Sequence, residues 1–330
     1  MGIPRSLGGV VVVAFTWAAV STGGATAQQW PQRPVTMIIP FGTGSGIDVL
    51  GRILAPAMAE KLGQPIIIEN VGGAGGMTGA ARVAKASPDG YTFVLGNVGT
   101  HAQNQSLYPH PLYHAVRDFA PVASIADTPQ VLIARADLPA DGLRGFIAYV
   151  KANQAKMQYG SAGAGSAAHL ACALLNAAMG SDVTHVPYRG GGPAMQDLIA
   201  GRIDYQCPLI ALALPQIASG KVKAVAALTS QRTTILPQLA TAREQGLAGF
   251  GVSTWNALFL PKGTPQAIVR KLHDAADAAV DLPDIQGLLR QIGAEPAPRE
   301  DRSPEFLEKF VAREIDKWAV AIKAAGVSPQ

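Results

Sequence analysis

The stretch YGSAGAGSAAHLACALL, residues 159–175, begins as a short extended segment, continues as a loop of small residues and ends as an apolar helix. In the helix, Leu170, Leu174 and Leu175 lie on one stripe at helical spacing. The first amide groups of a helix have no acceptor within it, and its N-terminal end favours negative charge. Small loop residues let a ligand approach these amides closely, so the stretch predicts an anion-binding loop. Its candidate ligand contacts are Ser161, Gly165, Ser166 and His169. His169 could instead fix the loop or simply pack against it.

The same order of elements occurs near the start of the chain. Residues 36–40 (TMIIP) predict a buried strand, residues 41–46 (FGTGSG) a tight loop, and residues 48–62 a helix with apolar residues at helical spacing. We expect the two loops to face each other across one cleft and to bind one small anion between them. The candidate contacts here are Ser45, Gly46 and Asp48, although an acid at a helix start is also stabilising by itself.

A third loop is predicted at the end of another strand. Strands and helices alternate along the chain, which indicates parallel strands with ligands bound at their carboxyl ends. Residues 96–106 (GNVGTHAQNQS) follow such a strand, are polar and carry no fixed charge. This segment is therefore a third loop at the ligand-binding edge of the sheet.

The strand pattern also predicts two lobes. The chain is expected to cross between them near residue 127 and to return near residue 249. Lobe 1 then contains residues 28–127 and 249–330, and lobe 2 contains residues 128–248. The fold class is α/β, with two mixed sheets flanked by helices. Two crossings form a hinge, and a hinge beside a cleft suits ligand capture.

Residues 1–27 have the features of a secretory signal peptide. Arg5 precedes an apolar run over residues 7–20, and Ala25 and Ala27 flank one residue in the small-x-small pattern of a cleavage site. No later stretch reaches the roughly 20 apolar residues of a spanning helix. We therefore expect cleavage after Ala27 and a soluble product in the bacterial periplasm.

The composition suits a compact α/β protein and argues against nucleic acid as a partner. Of the 330 residues, 48% are hydrophobic, 15% charged and 6% aromatic, the formal net charge is +4, and the basic residues are scattered. His110 and His114 have a metal-like spacing, but Pro109 and Pro111 break the helix that would place them on one face. Neither a metal site nor a cofactor is expected.

The two cysteines, Cys172 and Cys207, leave two interpretations. An oxidising compartment permits a disulfide between them. Cys172 lies within an apolar helix pattern, however, which favours two buried thiols.

Asp204 and Trp255 are further candidate ligand contacts, and each could instead have a purely structural role. Asp204 is either an exposed acid or a cleft acid that would select a ligand hydroxyl or amine. Trp255 is either part of the core or a wall of the cleft against the hydrocarbon part of a ligand.

Five segments carry a resemblance to a known family. In chain order they are PFGTGSGIDVLGR, NVGGAGGMTGAARVAKASPDGYT, YGSAGAGSAAHLA, VPYRGGGPAMQDLIAGRID and LPKGTPQAIVRKL. Together they resemble the periplasmic solute receptors of tripartite tricarboxylate transporters, the Bug-type receptors. The resemblance implies a two-lobed Venus-flytrap fold of a type II-like kind, a monomer, and capture of a mono- or dicarboxylate for delivery to a membrane permease. It also implies that amides, hydroxyls and ordered water hold the ligand instead of arginine. Position by position, it implies ligand contacts at Thr100 and His101 in the third loop.

Two departures from the family pattern lie near the expected cleft. Residues 42–46 read GTGSG, where family members usually show two small or proline residues and then a glycine pair. Cys207 stands where an aromatic residue often follows the GRID-like segment. The identity of the ligand therefore cannot be copied from a relative.

Two other functions fit parts of the sequence. Gly163, Gly165 and Ala168 satisfy the GxGxxA spacing of nucleotide-binding folds, but the next predicted strand ends at Tyr188 and Arg189 instead of the acid those folds require. A periplasmic hydrolase acting on a small organic acid is the main alternative, since serines and a histidine occur in the same loops. None of those serines has glycine both two residues before and two residues after it, so the nucleophile elbow is missing.

Overall fold

Two β-sheets flanked by helices account for the architecture. The computed structural model describes residues 1–2, 30–188 and 190–324. The predicted signal peptide, residues 1–27, lies almost entirely outside the described residues. From Pro31 onwards the described residues form one compact unit that contains both sheets. No helix in the described ranges is long and apolar enough to cross a bilayer.

Strands and helices alternate through most of the chain. The strands are β1 (Val35–Ile39), β2 (Ile66–Asn70), β3 (Thr92–Asn97), β4 (Phe119–Pro129), β5 (Val131–Arg135), β6 (Gln158–Ser161), β7 (Thr184–Pro187), β8 (Tyr205–Gln206), β9 (Val222–Ala227), β10 (Ser253–Pro261) and β11 (Glu295–Pro296). The α-helices are α1 (Gly46–Leu62), α2 (Met77–Ala84), α3 (Asn104–Leu107), α4 (Gly142–Asn153), α5 (Ala167–Met179), α6 (Gly191–Ile199), α7 (Ile210–Ala218), α8 (Gln266–Val280), α9 (Pro283–Gln291) and α10 (Pro304–Ala324). Gly99–Gln103 forms a π-helical turn, and Ala74–Gly76, Gln154–Lys156 and Arg299–Asp301 form short 3₁₀ turns.

The first sheet has six strands in the order β11-β4-β10-β3-β1-β2. β1 is parallel to β2 and β3, whereas β10 is antiparallel to β3 and β4. β1 and β3 are buried along nearly their whole length, which explains their continuous apolar sequences. This sheet and the helices that pack on it form lobe 1.

The second sheet has five strands in the order β7-β6-β8-β5-β9, and with its helices it forms lobe 2. β6 is parallel to β7 and β8, and β5 is antiparallel to β8 and β9. The chain leaves the first sheet after Pro129, enters the second at Val131, and returns between β9 and β10. The predicted α/β architecture of two mixed sheets flanked by helices is confirmed.

A disulfide joins α5 to the end of β8, where the sequence favoured two free thiols. Cys172 and Cys207 are both fully buried and are bonded to each other. The expectation of thiols was wrong because the apolar pattern around Cys172 predicts burial but says nothing about which residue packs against it. In the fold, the two Cα atoms lie 5.5 Å apart, which is within the span of a disulfide.

Candidate functional site

A cleft between the lobes has two adjoining sections. The large section has a volume of about 890 Å³ and the small section about 480 Å³. The residues that line both sections come from both lobes: Phe41, Gly42, Ser45, Gly46, Ala162, Ser166, Ala167, Leu209, Ala211 and Ile292. The segment before α1 and the segment before α5 therefore lie on one cleft, which is the arrangement expected from the sequence.

The segment before α1, residues 42–45, is called loop A. Ser45 precedes the helix with extended backbone (φ −67°, ψ 155°), and its amide donates to the Gly42 carbonyl at 3.2 Å. Gly44 has a φ of 80°, which glycine adopts without strain, and its amide donates to Asp48 Oδ2 at 2.8 Å. Ser45 Oγ is buried and has no hydrogen-bond partner among the described residues. The Ser45 hydroxyl, at the start of α1, is therefore free of hydrogen bonds to the described residues.

The segment before α5, residues 163–166, is called loop B and has the same backbone. Ser166 has φ −68° and ψ 157°, and its amide donates to the Gly163 carbonyl at 3.1 Å. Gly165 has a φ of 73°, and its amide donates to His169 Nδ1 at 3.0 Å. Unlike Ser45, Ser166 uses its hydroxyl to accept from the His169 amide at 3.3 Å. The two loops are therefore equivalent in backbone but differ in their side-chain partners.

Asp48 positions loop A and does not line the cleft. Its side chain is 2% exposed, and it accepts from the Gly44 amide, from Arg52 Nε at 3.0 Å and from Asn70 Nδ2 at 2.9 Å. Burial raises the pKa of this carboxyl, but the hydrogen bonds from Arg52, Gly44 and Asn70 outweigh burial and hold the pKa below its ordinary value. Since every one of these partners is protein, the ionised carboxylate fastens the loop, and the direct ligand contact predicted for Asp48 is not carried into the site.

His169 is the equivalent residue in loop B, and it belongs to a stack of rings. Its ring lies over that of His185 with centroids 4.0 Å apart, and His185 Nε2 shares a hydrogen bond of 2.7 Å with Ser161 Oγ. Burial lowers the pKa of His169, and burial together with the neighbouring His169 lowers the pKa of His185 to about 4. Because the Gly165 amide donates to Nδ1, the imidazole of His169 must be unprotonated at that nitrogen. His169 therefore fixes loop B and does not line the cleft.

The lining of the cleft is neutral across the described residues. Its large section offers the hydroxyls of Ser45, Ser161 and Ser166 and the amides of Gln206 and Gln291. No charged side chain lines either section in the part of the chain that the structure describes; Arg189, next to the lining residue Gly190, lies outside it. Apolar walls come from Phe41, Val49, Leu209, Leu212 and Ile292. Such a cleft can hold an anion by neutral donors and pack its hydrocarbon part.

The third loop reaches the cleft through residues other than Thr100 and His101. His101 is fully buried, stacks on Phe259 with ring centroids 3.8 Å apart, and burial lowers its pKa to about 3. Thr100 Oγ1 accepts from the Asn97 amide at 2.9 Å. Both side chains thus serve the core, and the ligand contacts predicted for them are corrected. Gln103, in the same π-helical turn, is a side chain that lines the small section of the cleft.

Asp204 and Trp255 also lie away from the cleft lining. Asp204 accepts from Arg135 Nε at 3.1 Å and from the Gln158 amide at 2.8 Å. Trp255 is 4% exposed and donates from Nε1 to Glu314 Oε2 at 3.0 Å. Trp255 is therefore part of the core, whereas Asp204 is neither an exposed acid nor a cleft acid, because its side chain is 18% exposed and ion-paired with Arg135. Neither residue is retained as a ligand contact.

Several lining residues were missed by reasoning from the sequence. Gln206 ends β8 next to β6, Asn97 ends β3, and Gln103 lies in the turn that follows β3. The signal that would have found them is the rule that ligands bind at the carboxyl ends of parallel strands, applied to polar amides as well as to hydroxyls. Further missed residues include the glycines of the turn after β2, Gly72, Gly73, Gly75 and Gly76, which line the small section.

Two α/β lobes, with matched helix-start loops on the cleft between them, define a two-lobed solute-binding protein. A family model described as the tripartite tricarboxylate transporter family receptor matches residues 50–327. The chain belongs to this family. The resemblance to the Bug-type receptors is thereby confirmed, and so is the prediction that the chain is a solute-binding receptor instead of an enzyme.

Three solved structures are similar to this chain over nearly its full length. The periplasmic binding protein BugD is 38% identical, with a TM-score of 0.81, over 91% of this chain and 100% of its own. MatC from Rhodopseudomonas palustris, solved with bound malate, is 41% identical, with a TM-score of 0.80, over 89% of this chain and 100% of its own. Rpa4515 from R. palustris, solved with adipate, is 34% identical, with a TM-score of 0.82, over 92% of this chain and 100% of its own.

Proposed function

We propose that this protein captures a small mono- or dicarboxylate in the periplasm and delivers it to the membrane permease of a tripartite transporter. The observation that carries the proposal is the pairing of loops A and B on one neutral cleft. A carboxylate between the loops would face the first turns of α1 and α5, where amide groups lack intrahelical acceptors and the helix end carries partial positive charge. Proposed direct contacts are Ser45, Gly46, Ser161, Gly165 and Ser166.

Neutral donors suit a receptor that must also release its ligand. A carboxylate held by amides and hydroxyls gains charge-assisted hydrogen bonds, because the ligand supplies the charge. No charged group of the described cleft lining has to be desolvated when the cleft closes around the ligand. The apolar walls around Leu209, Leu212 and Ile292 would then accept the hydrocarbon part of the ligand.

The ligands of the solved neighbours support a carboxylate. MatC was solved with malate and Rpa4515 with adipate, and both ligands are small dicarboxylates. The two structures cover 89% and 92% of this chain. On this basis we extend carboxylate binding to this protein as a proposal.

Lobe closure is the proposed mechanism of capture. The two connections between the sheets, at Gln130 and between β9 and β10, would act as the hinge. A bound anion would bridge loops A and B, and the closed form would be the one that the permease recognises. We further propose that the protein acts as a monomer and reaches the periplasm by cleavage of its signal peptide after Ala27.

A ligand panel tests the proposal. The purified protein without residues 1–27 is screened against dicarboxylates, aromatic acids and amino acids by thermal shift, and hits are titrated by calorimetry. We expect at least one carboxylate to bind saturably, to compact the protein in small-angle scattering, and to be recovered unchanged by mass spectrometry. Consumption of the acid would instead support a hydrolase. A panel in which no carboxylate binds would contradict the proposed function.

A matched pair of variants tests the site itself. Gly165→Val introduces a side chain at a φ of 73° in loop B and should abolish binding. Gly180→Val makes the same change at a φ of 64° at the end of α5, away from the cleft lining, and should cost stability without selective loss of binding. Equal binding by both variants, measured at a temperature where both are folded, would count against loop B as the site.

A further inference from the structure

A carboxylate of lobe 1 binds a segment of lobe 2. Glu295, in β11, accepts three hydrogen bonds at Oε1: from Thr233 Oγ1 at 3.0 Å, from the Thr234 amide at 2.6 Å and from Thr234 Oγ1 at 2.8 Å. Thr233 is 2% exposed, and Glu295 is half-buried. Hydrogen bonds to an ionised acceptor are about twice as strong as those between neutral groups. These three residues are called the Glu295 clasp.

The two sides of the Glu295 clasp are anchored in different sheets. Glu295 lies opposite Asp127 in the antiparallel pairing of β11 with β4, at the edge of the first sheet. The two threonines follow β9, the edge strand of the second sheet. Their segment is fixed to lobe 2, because the Ala227 amide of β9 donates to the Ala240 carbonyl at 3.0 Å and Leu236 is buried in the core of that lobe. The clasp therefore adds a non-covalent link between the lobes to the two chain crossings.

The same stretch of lobe 1 also reaches the cleft. Ile292, three residues before Glu295, lines both sections. Gly293 has a φ of 73° and lies so close to the start of α7 that a Cβ on it would be 2.9 Å from the Ala211 amide nitrogen. Ala211 lines both sections as well. Residues 292–295 therefore connect the cleft wall to the clasp, although Glu295 itself does not line the cleft.

We propose that the Glu295 clasp holds the two lobes in the arrangement seen here and sets how readily they move apart. A shift of about 1 Å between Glu295 Oε1 and its donors would take all three beyond hydrogen-bond distance. A contact that exists in one arrangement and is lost in another favours the first. Glu295 is thus a positioning residue for the lobes. The inference uses the lobe movement of the proposed function but does not depend on which acid binds.

Distances between spin labels test the clasp without any ligand. The chain has two cysteines, which are bonded to each other, so a thiol-specific label attaches to introduced cysteines. Glu60→Cys in α1 and Lys151→Cys in α4 place one label at an exposed position on each lobe. Double electron–electron resonance then measures the distribution of label distances in the protein without residues 1–27. Glu295→Ala should reduce the population of the arrangement seen here, relative to others, by about tenfold, which corresponds to ~1.4 kcal/mol.

Two further variants weaken the clasp by degrees. Glu295→Gln keeps an acceptor but loses the charge, so its distribution should lie between those of wild type and Glu295→Ala. Thr234→Val, at an exposed position, removes one donor from the lobe 2 side and should cause a smaller shift in the same direction. Glu244→Ala is the matched control, because Glu244 accepts from Arg232 and from the Thr241 amide within lobe 2. This control should keep the wild-type distribution.

The measurements are made at a temperature where circular dichroism shows every variant to be folded. A wild-type distribution for Glu295→Ala, or an equal shift for Glu244→Ala, would overturn the inference and leave carboxylate binding untouched. A ligand panel without hits would contradict the proposed function and leave the distance measurement valid. Where the panel yields ligands, Glu295→Ala should change all their affinities by one common factor, because the clasp acts on the lobes and not on the ligand. Factors that differ between ligands would assign Glu295 to ligand recognition and would also overturn the inference.

Discussion

Loop A in lobe 1 and loop B in lobe 2 reach the same backbone geometry with different side chains. In each, a left-handed glycine precedes a serine that begins a helix, and the third helical residue accepts from the amide of that glycine. The acceptor is the carboxylate of Asp48 in loop A and the neutral imidazole of His169 in loop B. The Ser166 hydroxyl is used within its own helix start, whereas the Ser45 hydroxyl is not.

The difference shows which requirements belong to the loop and which belong to its surroundings. A helix start of this shape needs an acceptor for the glycine amide, because a buried amide without a partner is costly. A carboxylate meets that need only with partners of its own, and Arg52 and Asn70 supply them. An imidazole can remain uncharged, so it can sit in a stack with His185 and Tyr159. The two halves of one site should therefore respond differently to mutation and to pH.

The largest expected difference comes from the disulfide. Within the described residues, α5 is held by a disulfide and α1 is not. Cys172 in α5 is bonded to Cys207 across 35 residues of chain, and a loop of that length contributes about 4 kcal/mol to the free energy of unfolding. Cys172→Ala, Cys207→Ala and the double variant should lose nearly the same amount, because each breaks the same bond. Urea unfolding measures the loss, and additive losses from the two single variants would contradict this expectation. Hydrogen exchange should show α5 less protected in all three variants, with α1 changing less.

The second difference concerns the carboxylate of loop A. Asp48→Ala leaves the Gly44 amide without its acceptor and removes one of the two acceptors of Asn70 Nδ2, and we expect a loss of about 2–3 kcal/mol in unfolding free energy. The contribution of the ion pair itself should be small, because Arg52 is half exposed. Asp48→Asn keeps an acceptor and should lose less. Urea unfolding of both variants measures this, and wild-type stability of Asp48→Ala would show that loop A does not depend on its carboxylate.

The third difference is the response to pH. Unfolded histidine has a pKa near 6.5, whereas burial lowers the pKa of His169, and burial with the neighbouring His169 lowers that of His185 to about 4. The folded state therefore resists protonation, so stability present above pH 6.5 is lost as pH falls from about 6.5 towards 4, by about 1–2 kcal/mol at pH 5. The pKa of Asp48 is lowered from 3.8, so loop A should keep its contribution until the pH falls below that value.

A variant without the two imidazoles isolates this effect. In the double variant His169→Asn with His185→Gln, an amide oxygen can replace Nδ1 as the acceptor for Gly165, and neither residue titrates. The difference in unfolding free energy between wild type and variant should narrow as the pH falls from 7.5 to 5. Groups elsewhere, such as Asp127, whose pKa is raised to about 6 by burial and then by nearby carboxylates, cancel in that comparison. If the difference in unfolding free energy between wild type and variant does not change with pH, the stacked histidines do not cause the loss of stability at low pH.

The smallest expected difference is between the effects of replacing Ser166 and Ser45 with alanine. Ser166→Ala removes the side-chain bond to the His169 amide and should cost about 1 kcal/mol of stability. Ser45→Ala removes no hydrogen bond that the described residues make, so its melting temperature should stay near wild type, while carboxylate affinity should fall by about threefold to tenfold. Thermal melts without ligand and calorimetry with ligand measure the two effects. Equal destabilisation by both substitutions would show that the loops are equivalent in energy as well as in backbone.

Reasoning from the sequence succeeded where a local rule decides the structure. Glycine before serine before an apolar stripe predicts a helix start in both loops, and alternating strand and helix patterns predict two α/β sheets. It failed at Thr100 and His101, which were assigned by their position in the family pattern, because both side chains are fully buried in the fold. It also could not separate the two roles of His169, since a ligand contact and a loop-fixing contact require the same residue at the same position.

The sequence by itself determined the elements: two small-residue loops ahead of two helices, a neutral set of donors within them, and the membership of the chain in a receptor family. The loops and the helices that follow them are set by residues adjacent in sequence, because local backbone preferences decide their geometry. Tertiary structure alone decided that Cys172 meets Cys207, that His185 supports His169, and that Gln103 and Gln206 reach the cleft from opposite lobes. Those contacts join residues far apart in sequence, so they follow from how the sheets pack and not from any pattern that the chain carries locally.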